Sequence, residues 1–425
     1  MKTIRLPYGK THLDLNIDEE KLAGIIYPPA DNIVMEGTEK SVVENSIKNP
    51  IGSRRLCELA AGAGKVLVIT SDHTRPVPSK ITLPILLEEI RKSNPHVEIK
   101  IIVATGLHRT TTREELIDKF GHDIVDKEDI VIHDCRDKNN LVFKGILPSG
   151  GELWLNSLVD WADLLVAEGF IEPHFFAGYS GGRKSVLPGI AGEKTVLANH
   201  CSAFISNINS RAGNLKDNPL HEDMLYAAGA AKLRFILNVA LNSEKKIIGC
   251  FCGDAEEAHK EGCEFVSRMS RAKAVPSDIV IVTNGGYPLD QNIYQAVKGL
   301  DTASRSIKED GTIIMLAECE DGHGGESFYK WFKNGGSPEE VVKKIAAIPM
   351  EDTSSDQWQA QVLARILVKY RVIMVTDKCG PELVNDLFML HANSLDEALG
   401  KAYGLSGRDA NVTVIPDGVS IVVEQ

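Results

Sequence analysis

The chain has 425 residues, too many for one compact core, and its apolar share of 43% and charged share of 25% are those of ordinary folded domains, two or three in number. A formal net charge of −12 excludes a general nucleic-acid or membrane-surface binder, because phosphate-rich partners are repelled before any local patch can act, and it leaves small molecules as the expected partners. The first residues, Met1 to Tyr8, lack the apolar core of a signal peptide and no run is long enough to span a bilayer, so the expected location is cytoplasmic. Eight cysteines stand singly apart from Cys250 and Cys252, with none of the C-x-x-C spacings of a zinc site, and are expected to be reduced core residues. Cys250 and Cys252 share one face of a strand, but two such ligands make no complete metal site.

In chain order, short β-branched runs alternate with helical patterns. A strand is expected over residues 65–70, a helix over 83–92 with Pro84 in its first turn, and a second strand over 97–103. Residues 163–170 read as a third strand. The alternation predicts a parallel α/β sheet, in which ligands bind beyond the carboxyl ends of the strands. The loops there are chemically loaded: Ser71 to Pro76 after the first strand, Ala104 to Arg109 after the second, and Glu172 to Ser185 after the third. A charged amphipathic helix over 255–271 closes this part, and strands over 277–283, 311–318 and 371–377 start another. The fold class is therefore α/β, two α/β domains with a cleft between them. The first covers residues 1–270 and the second 271–395; for the closing segment 396–425, return to the first domain stands as one of two alternatives.

Gly178 to Ser185 matches the phosphate-binding pattern G-x-x-x-x-G-K-[ST] except that Arg183 replaces the second glycine. A Cβ at that position disfavours the backbone wrap around phosphates, so the turn is expected to present Lys184 for another purpose, including a covalent one. Arg75, in a polar loop stiffened by Pro76, offers a guanidinium fork for a carboxylate or phosphate; the alternative is a surface arginine held by Asp72. His108 and His174 each follow a strand-like run, and imidazoles near pKa ~6.5 can give and take protons on two faces of one substrate; taken singly, a histidine is more often a capped or packed residue, but together, at loop ends of one sheet, the two are expected to be catalytic. His200 is a candidate metal ligand on residue type, but His221, His259 and His323 have the same standing. Trp358 lies in an amphipathic helix over 356–370, where domain packing is the plain reading.

Taken together, SDHTRP at Ser71 to Pro76, ATGLHR at Ala104 to Arg109, EPHFFAGYSGGRKSVLPGIAG at Glu172 to Gly192, Asn199-His200 and NGGYPLDQNIYQAVKG at Asn284 to Gly299 resemble the nickel-pincer lactate racemase family over nearly the whole chain. The resemblance implies that Lys184 carries, through a thioamide, a pyridinium bis-thiocarboxylate mononucleotide whose sulfur arms and ring carbon grip nickel, with His200 as the protein's ligand to the metal. It implies that Asp72, His73, Thr74 and Arg75 accommodate the cofactor, and that Arg75, Gln295, Lys298 and Trp358 surround the substrate. It implies that His108 and His174 exchange the hydroxyl proton while hydride leaves and returns, through a planar 2-keto acid, which for lactate is pyruvate. The implied partners are a small-molecule 2-hydroxy acid and the proteins that make the cofactor. The resemblance is specific to the family and less so to the substrate: a racemase or epimerase of another 2-hydroxy acid is an alternative. Two other classes remain as competing expectations, a nucleotide-dependent transferase using the glycine-rich turn and a non-catalytic carrier of metal or cofactor.

Overall fold

Runs of Val, Ile and Leu buried on both faces set the architecture, because a strand covered on two sides leaves no polar face for water. The structure, a computed structural model, describes residues 1–29 and 37–424. Among these residues the long runs assemble into two six-stranded sheets, one in each of two compact units.

The unit made of Asn32–His200 and Asn207–Arg268 is built on Lys65–Ser71. That strand lies between Glu98–Ala104 and Leu164–Phe170, both parallel to it; Asp129–Ile132 extends one edge, and Leu233–Leu241 followed by antiparallel Ile247–Gly253 extends the other. All seven residues of Leu164–Phe170 are buried. Val66, Val68, Ile101, Val103, Leu164, Val166 and Phe170 pack into one core with Leu83, Leu86 and Ile90 of the helix Ser79–Arg91. Each such side chain contributes about 1.5–3 kcal/mol on burial. That helix starts four residues earlier than the sequence reading, so Pro84 sits in its interior rather than its first turn. Pro84 cannot donate to the carbonyl one turn earlier, and burial of Thr82, Leu83, Ile85, Leu86 and Leu87 keeps the helix running past it.

The order of strands fixes where a ligand can sit. From Lys65–Ser71 the chain steps outward twice on one side, then returns to lay Leu164–Phe170 on the other. The connections leave the carboxyl ends of these two neighbours in opposite directions, opening a crevice between them.

The other unit comprises Met1–Asp31, Cys201–Ser206 and Met269–Gln425. Its sheet runs Leu390–Ala392, Arg371–Val375, Ile307–Leu316, Ser277–Thr283, Val412–Ile415, Leu22–Ile25, all parallel. The closing segment 396–425 therefore does not return to the first sheet. Val412–Ile415 pairs with Ser277–Thr283, and Val422–Glu424 pairs with Arg271–Lys273. The segment that changes unit is the amino-terminal one, which departs from the expected grouping of 1–270: Leu22–Ile25 completes this sheet's edge, and Ile4, Leu6, Leu15 and Ile17 of the hairpin before it join this unit's core. Local sequence pattern carries no signal for such long-range pairing.

Candidate functional site

At the crevice of the first sheet, Lys65–Ser71 ends one residue before Asp72, and its neighbour Glu98–Ala104 ends in register with it, Ser71 opposite Ala104. The loops that follow therefore leave side by side. Asp72, 1% exposed, accepts from Nδ1 of His108 at 2.6 Å through Oδ2, and from the Thr74 hydroxyl at 2.6 Å and amide at 3.1 Å through Oδ1. Burial works to raise the pKa of this carboxyl, but the His108 hydrogen bond and charge, the Arg75 charge and the Thr74 hydroxyl outweigh it and hold the group well below the usual carboxylate range. An ionised carboxylate can only accept, so Nδ1 of His108 bears the proton and the lone pair of the neutral ring lies on Nε2. That is the tautomer of a general base oriented by a carboxylate.

Arg75 is half-buried, and among the described residues no hydrogen bond or ion pair engages its guanidinium. No ion pair at contact distance joins Arg75 to Asp72 among the described residues, and the two interact through charge alone, which helps to keep Asp72 ionised. His73 turns elsewhere: Nδ1 meets the Thr111 hydroxyl at 3.1 Å and Nε2 lies 3.6 Å from Glu115.

The glycine-rich segment departs from a phosphate loop in an informative way. Arg183, 1% exposed, points inward rather than toward a ligand. Its guanidinium donates to the carbonyls of Tyr179 at 2.8 Å and Ala177 at 2.9 Å, to Nδ1 of His221 at 2.9 Å, and meets Nε2 of His259 at 3.0 Å. Burial, then the Arg183 charge, pushes the His221 imidazolium down to about 3, and the same two causes keep His259 neutral. The arginine thus ties the turn from within. Gly182 is required above it: φ is +52°, and a Cβ would lie 2.7 Å from the His259 ring. The turn is also joined to the His108 loop, since the Gly106 amide donates to the Gly189 carbonyl at 3.0 Å.

Lys184 lies in the 3-10 turn Gly182–Ser185 that this knot holds. Its Nζ is 6.0 Å from the centroid of Phe176, a buried ring against which His174 and His200 also pack edge-on at 4.6 and 5.3 Å between centroids. Phe176 is thus the common wall for three of the expected working residues. His174 pairs with Gly178 in a two-residue hairpin, and its Nδ1 accepts from the Ala177 amide at 3.3 Å. A backbone N–H can only donate, so the neutral ring carries its proton on Nε2, the opposite tautomer to His108.

His200 is buried at the end of the helix Glu193–Asn199. Burial first, then the Lys184 charge, lowers its pKa to about 3, so it is neutral at any working pH. Nδ1 donates to the Val196 carbonyl at 3.0 Å, which leaves the lone pair on Nε2, the arrangement of a metal-ligating histidine oriented by its second nitrogen. Among the described residues no three His, Cys, Asp or Glu side chains converge as a metal cage. One neutral imidazole and one lysine against the same ring fit a group that is anchored by the lysine and brings most of its own metal donors. They do not fit a conventional zinc site. Cys250 and Cys252 do share a face, Sγ to Sγ 3.7 Å, but lie on the edge strand and gather no further ligand among the described residues.

Gln295, Lys298 and Trp358 belong to the other unit. Gln295 and Lys298 stand on the helix Ile293–Ala303, and Oε1 of Gln295 is buried with no hydrogen-bond partner among the described residues. Trp358, in Gln357–Leu367, donates from Nε1 to the Tyr294 hydroxyl at 3.1 Å. Sequence reasoning missed the Asp72–His108 pairing, whose signal lay in two loops leaving adjacent parallel strands. It also missed Phe176, for which an aromatic beside His174 was no distinguishing mark.

Two family models match the chain, the lactate racemase N-terminal domain over residues 8–213 and the lactate racemase C-terminal domain over residues 272–423. The chain is 52% identical over 425 residues to a lactate racemase of Thermoanaerobacterium thermosaccharolyticum and 52% identical over 424 residues to one of Lactiplantibacillus plantarum, with 100% of both chains covered in each case. The structure of the apoprotein from T. thermosaccharolyticum superposes with a TM-score of 0.96 over 100% of both chains. A Thermotoga maritima protein, 21% identical, shares the fold with a TM-score of 0.69 over 92% of this chain and 100% of its own. By the matched models and full-length identity, the chain belongs to the lactate racemase family.

Proposed function

We propose that the chain is an isomerase that interconverts D- and L-lactate, using a pyridinium bis-thiocarboxylate mononucleotide joined to Lys184 and a nickel ion ligated by His200. The observation that carries the proposal is the pairing of His108 with the buried Asp72 carboxylate, which leaves a basic Nε2 on the ring, together with the packing of Lys184, His174 and His200 against the one ring of Phe176. The Cα hydrogen of a 2-hydroxy acid is too weakly acidic for an imidazole to remove beside an ionised carboxylate, so a pair of histidines alone cannot invert the centre. When bound, the nickel-pincer nucleotide would supply the missing chemistry, accepting and returning hydride at Cα so that lactate passes through pyruvate.

The protein's own residues do the rest. Nε2 of His108 takes the hydroxyl proton from one enantiomer, and the Asp72 carboxylate stabilises the imidazolium that forms. His174, entering this direction as the imidazolium, returns a proton at the other face and is left neutral, and the roles exchange for the reverse reaction. Arg75 receives the substrate carboxylate as a two-pronged donor. Gln295 and Lys298 are proposed to hold the remaining oxygens through their N–H donors and Trp358 to bound the small substrate. The loop of Asp72, His73, Thr74 and Arg75 is proposed to accommodate the cofactor, with the Asp72–Thr74 hydrogen bonds fixing its conformation. The supply of cofactor falls to separate synthesis proteins. Eight free thiols agree with a cytoplasmic protein, and among the described residues no helix is long and apolar enough to cross a membrane.

Mass spectrometry of the Lys184 peptide from protein purified with its native cofactor supply, with nickel measured in parallel, tests the reading. A nucleotide adduct on Lys184 with one nickel per chain, and racemisation of lactate in preference to other short 2-hydroxy acids, is the expected result. Full racemisation by Lys184→Ala overturns it, and tight ATP binding without nickel would transfer the chain to the nucleotide-dependent class.

A further inference from the structure

Beneath the Asp72 to Pro76 loop lies a charged group that the proposed chemistry does not use. Lys119, on the helix Arg113–Phe120, reaches inward and donates from Nζ to the backbone carbonyl of Arg75 at 2.9 Å. Below it, in the strand Leu164–Phe170, Glu168 is 1% exposed and accepts from the hydroxyls of Thr70 at 2.5 Å, Ser79 at 3.2 Å and Thr82. A lysine and a glutamate under the floor of a loop are costly to bury, and hydrophobic residues would fill the space more cheaply. Their retention calls for a role other than packing.

We propose that Lys119 is a positioning residue for substrate binding: by holding the Arg75 carbonyl from below, it fixes the loop conformation that aims the Arg75 guanidinium at the substrate carboxylate. The proposal rests on the reading of Arg75 as the carboxylate binder. The geometry favours it over a purely structural role because the hydrogen bond ends on the backbone of Arg75 itself, whose guanidinium is hydrogen-bonded by no described residue. Three charged groups face the Lys119 ammonium: Glu168 from the strand, and Asp72 and Arg75 from the loop. The adjoining helix Ser79–Arg91 contributes the hydroxyls of Ser79 and Thr82 to Glu168, while its Lys80 turns outward to Asp118 at 3.8 Å.

The arrangement also gives the lysine a readable titration. Burial pulls its pKa down to about 8, against the opposing pull of Glu168 and Asp72. Below that pH the ammonium offsets the two buried carboxylates. Above it the floor of the site carries uncompensated negative charge, which repels the substrate carboxylate, so KM for lactate rises on the alkaline side.

The test uses the cofactor-loaded enzyme with Lys119→Met, Lys119→Arg and Arg75→Ala, each assayed for kcat and KM from pH 6 to 10. Lys119→Met is expected to raise KM about tenfold at pH 7 with kcat within about threefold, since the loss lies in binding rather than in the proton-transfer groups. Lys119→Arg is expected to restore KM near the wild-type value and to abolish its alkaline rise, because a guanidinium does not deprotonate in that range. If Arg75→Ala raises KM while Lys119→Met leaves it unchanged, positioning by Lys119 is overturned and the Arg75 reading stands. If Arg75→Ala leaves KM unchanged, the Arg75 reading itself falls. Should Lys119→Met fail to fold, Lys119→Arg decides alone: an alkaline rise in KM identical to the wild type's overturns the proposal.

Discussion

Each sheet has one place where the strand order reverses, and the two places differ in how the chain spends its polar groups. In the sheet around Lys65–Ser71, the loops at the reversal leave the Arg75 guanidinium without a described hydrogen-bond partner and the His108 ring engaged through Nδ1 alone among the described residues. In the sheet around Ser277–Thr283, the reversal falls between that strand and Val412–Ile415, and its loops bond to each other. The Thr283 hydroxyl donates to the Pro416 carbonyl at 2.5 Å and accepts from the Gly285 amide at 2.9 Å. Asn284, fully buried, donates to the carbonyls of Leu289 at 2.6 Å and Gln295 at 2.7 Å and accepts from the Gly299 amide at 3.1 Å. Asp417 accepts from the amides of Val419 and Ser420 and from the Ser420 hydroxyl. Topology supplies a crevice in both units, and chemistry resides where donors and acceptors are withheld from the fold.

The largest expected effect sits at the open reversal. Lys184→Ala should abolish lactate racemisation and the nucleotide adduct together, measured by enantiomer-resolved product assay and intact mass, because no neighbouring group replaces a covalent anchor. Asp72→Asn should follow, with a fall of about 10²–10⁴ in kcat, since an amide facing Nδ1 no longer enforces the tautomer that leaves Nε2 basic. The same variant has a signature in stability. The Asp72 carboxyl is depressed in the folded state, so its contribution is present above the unfolded pKa of about 3.9 and is lost as pH falls through the folded value. The melting temperature of Asp72→Asn should therefore lie below that of the wild type at pH 7, with a gap that narrows as the solution is acidified below pH ~4. A gap independent of pH would mean that Asp72 is not held as the anion.

Smaller again is Arg75→Lys, which keeps the charge but loses the planar fork. A lost charged hydrogen bond of about 1.5–3 kcal/mol corresponds to a rise in KM of roughly 10–100-fold with kcat less affected. Equal losses in kcat and kcat/KM would instead place Arg75 on the reacting centre.

How much of this was legible depended on the range of the interaction. The strands and the loops beyond their carboxyl ends were readable because Val, Ile and Leu runs mark doubly covered strands locally. The mismatch at Arg183 was readable as a mismatch, while its cause was not: the partners His221 and His259 lie 38 and 76 residues away and only the folded turn brings them to one guanidinium. The strand Leu22–Ile25 carried no mark of its distant partner Val412–Ile415 for the same reason. Roles for Lys184 and His200 came from the family resemblance, and the fold adds the shared wall of Phe176 and the tautomer of His200, neither of which spacing encodes.

The closed reversal offers the smallest effect on activity and the sharpest control. Thr283→Val removes a buried hydroxyl without changing shape, leaving the Pro416 carbonyl and the Gly285 amide short of a partner. Stranded buried groups cost about 1–3 kcal/mol, so the urea midpoint should fall while the unfolding slope stays constant. If the loops there serve the fold alone, kcat and KM for lactate at a temperature well below the melt should stay within about twofold of the wild type. A fall in kcat on the scale of Asp72→Asn would break the comparison, because it would mean that groups bonded to one another at the second reversal still act on the reaction. The contrast between an acid-sensitive, activity-coupled carboxylate in one crevice and a purely stabilising hydroxyl in the other is therefore measurable with two point substitutions.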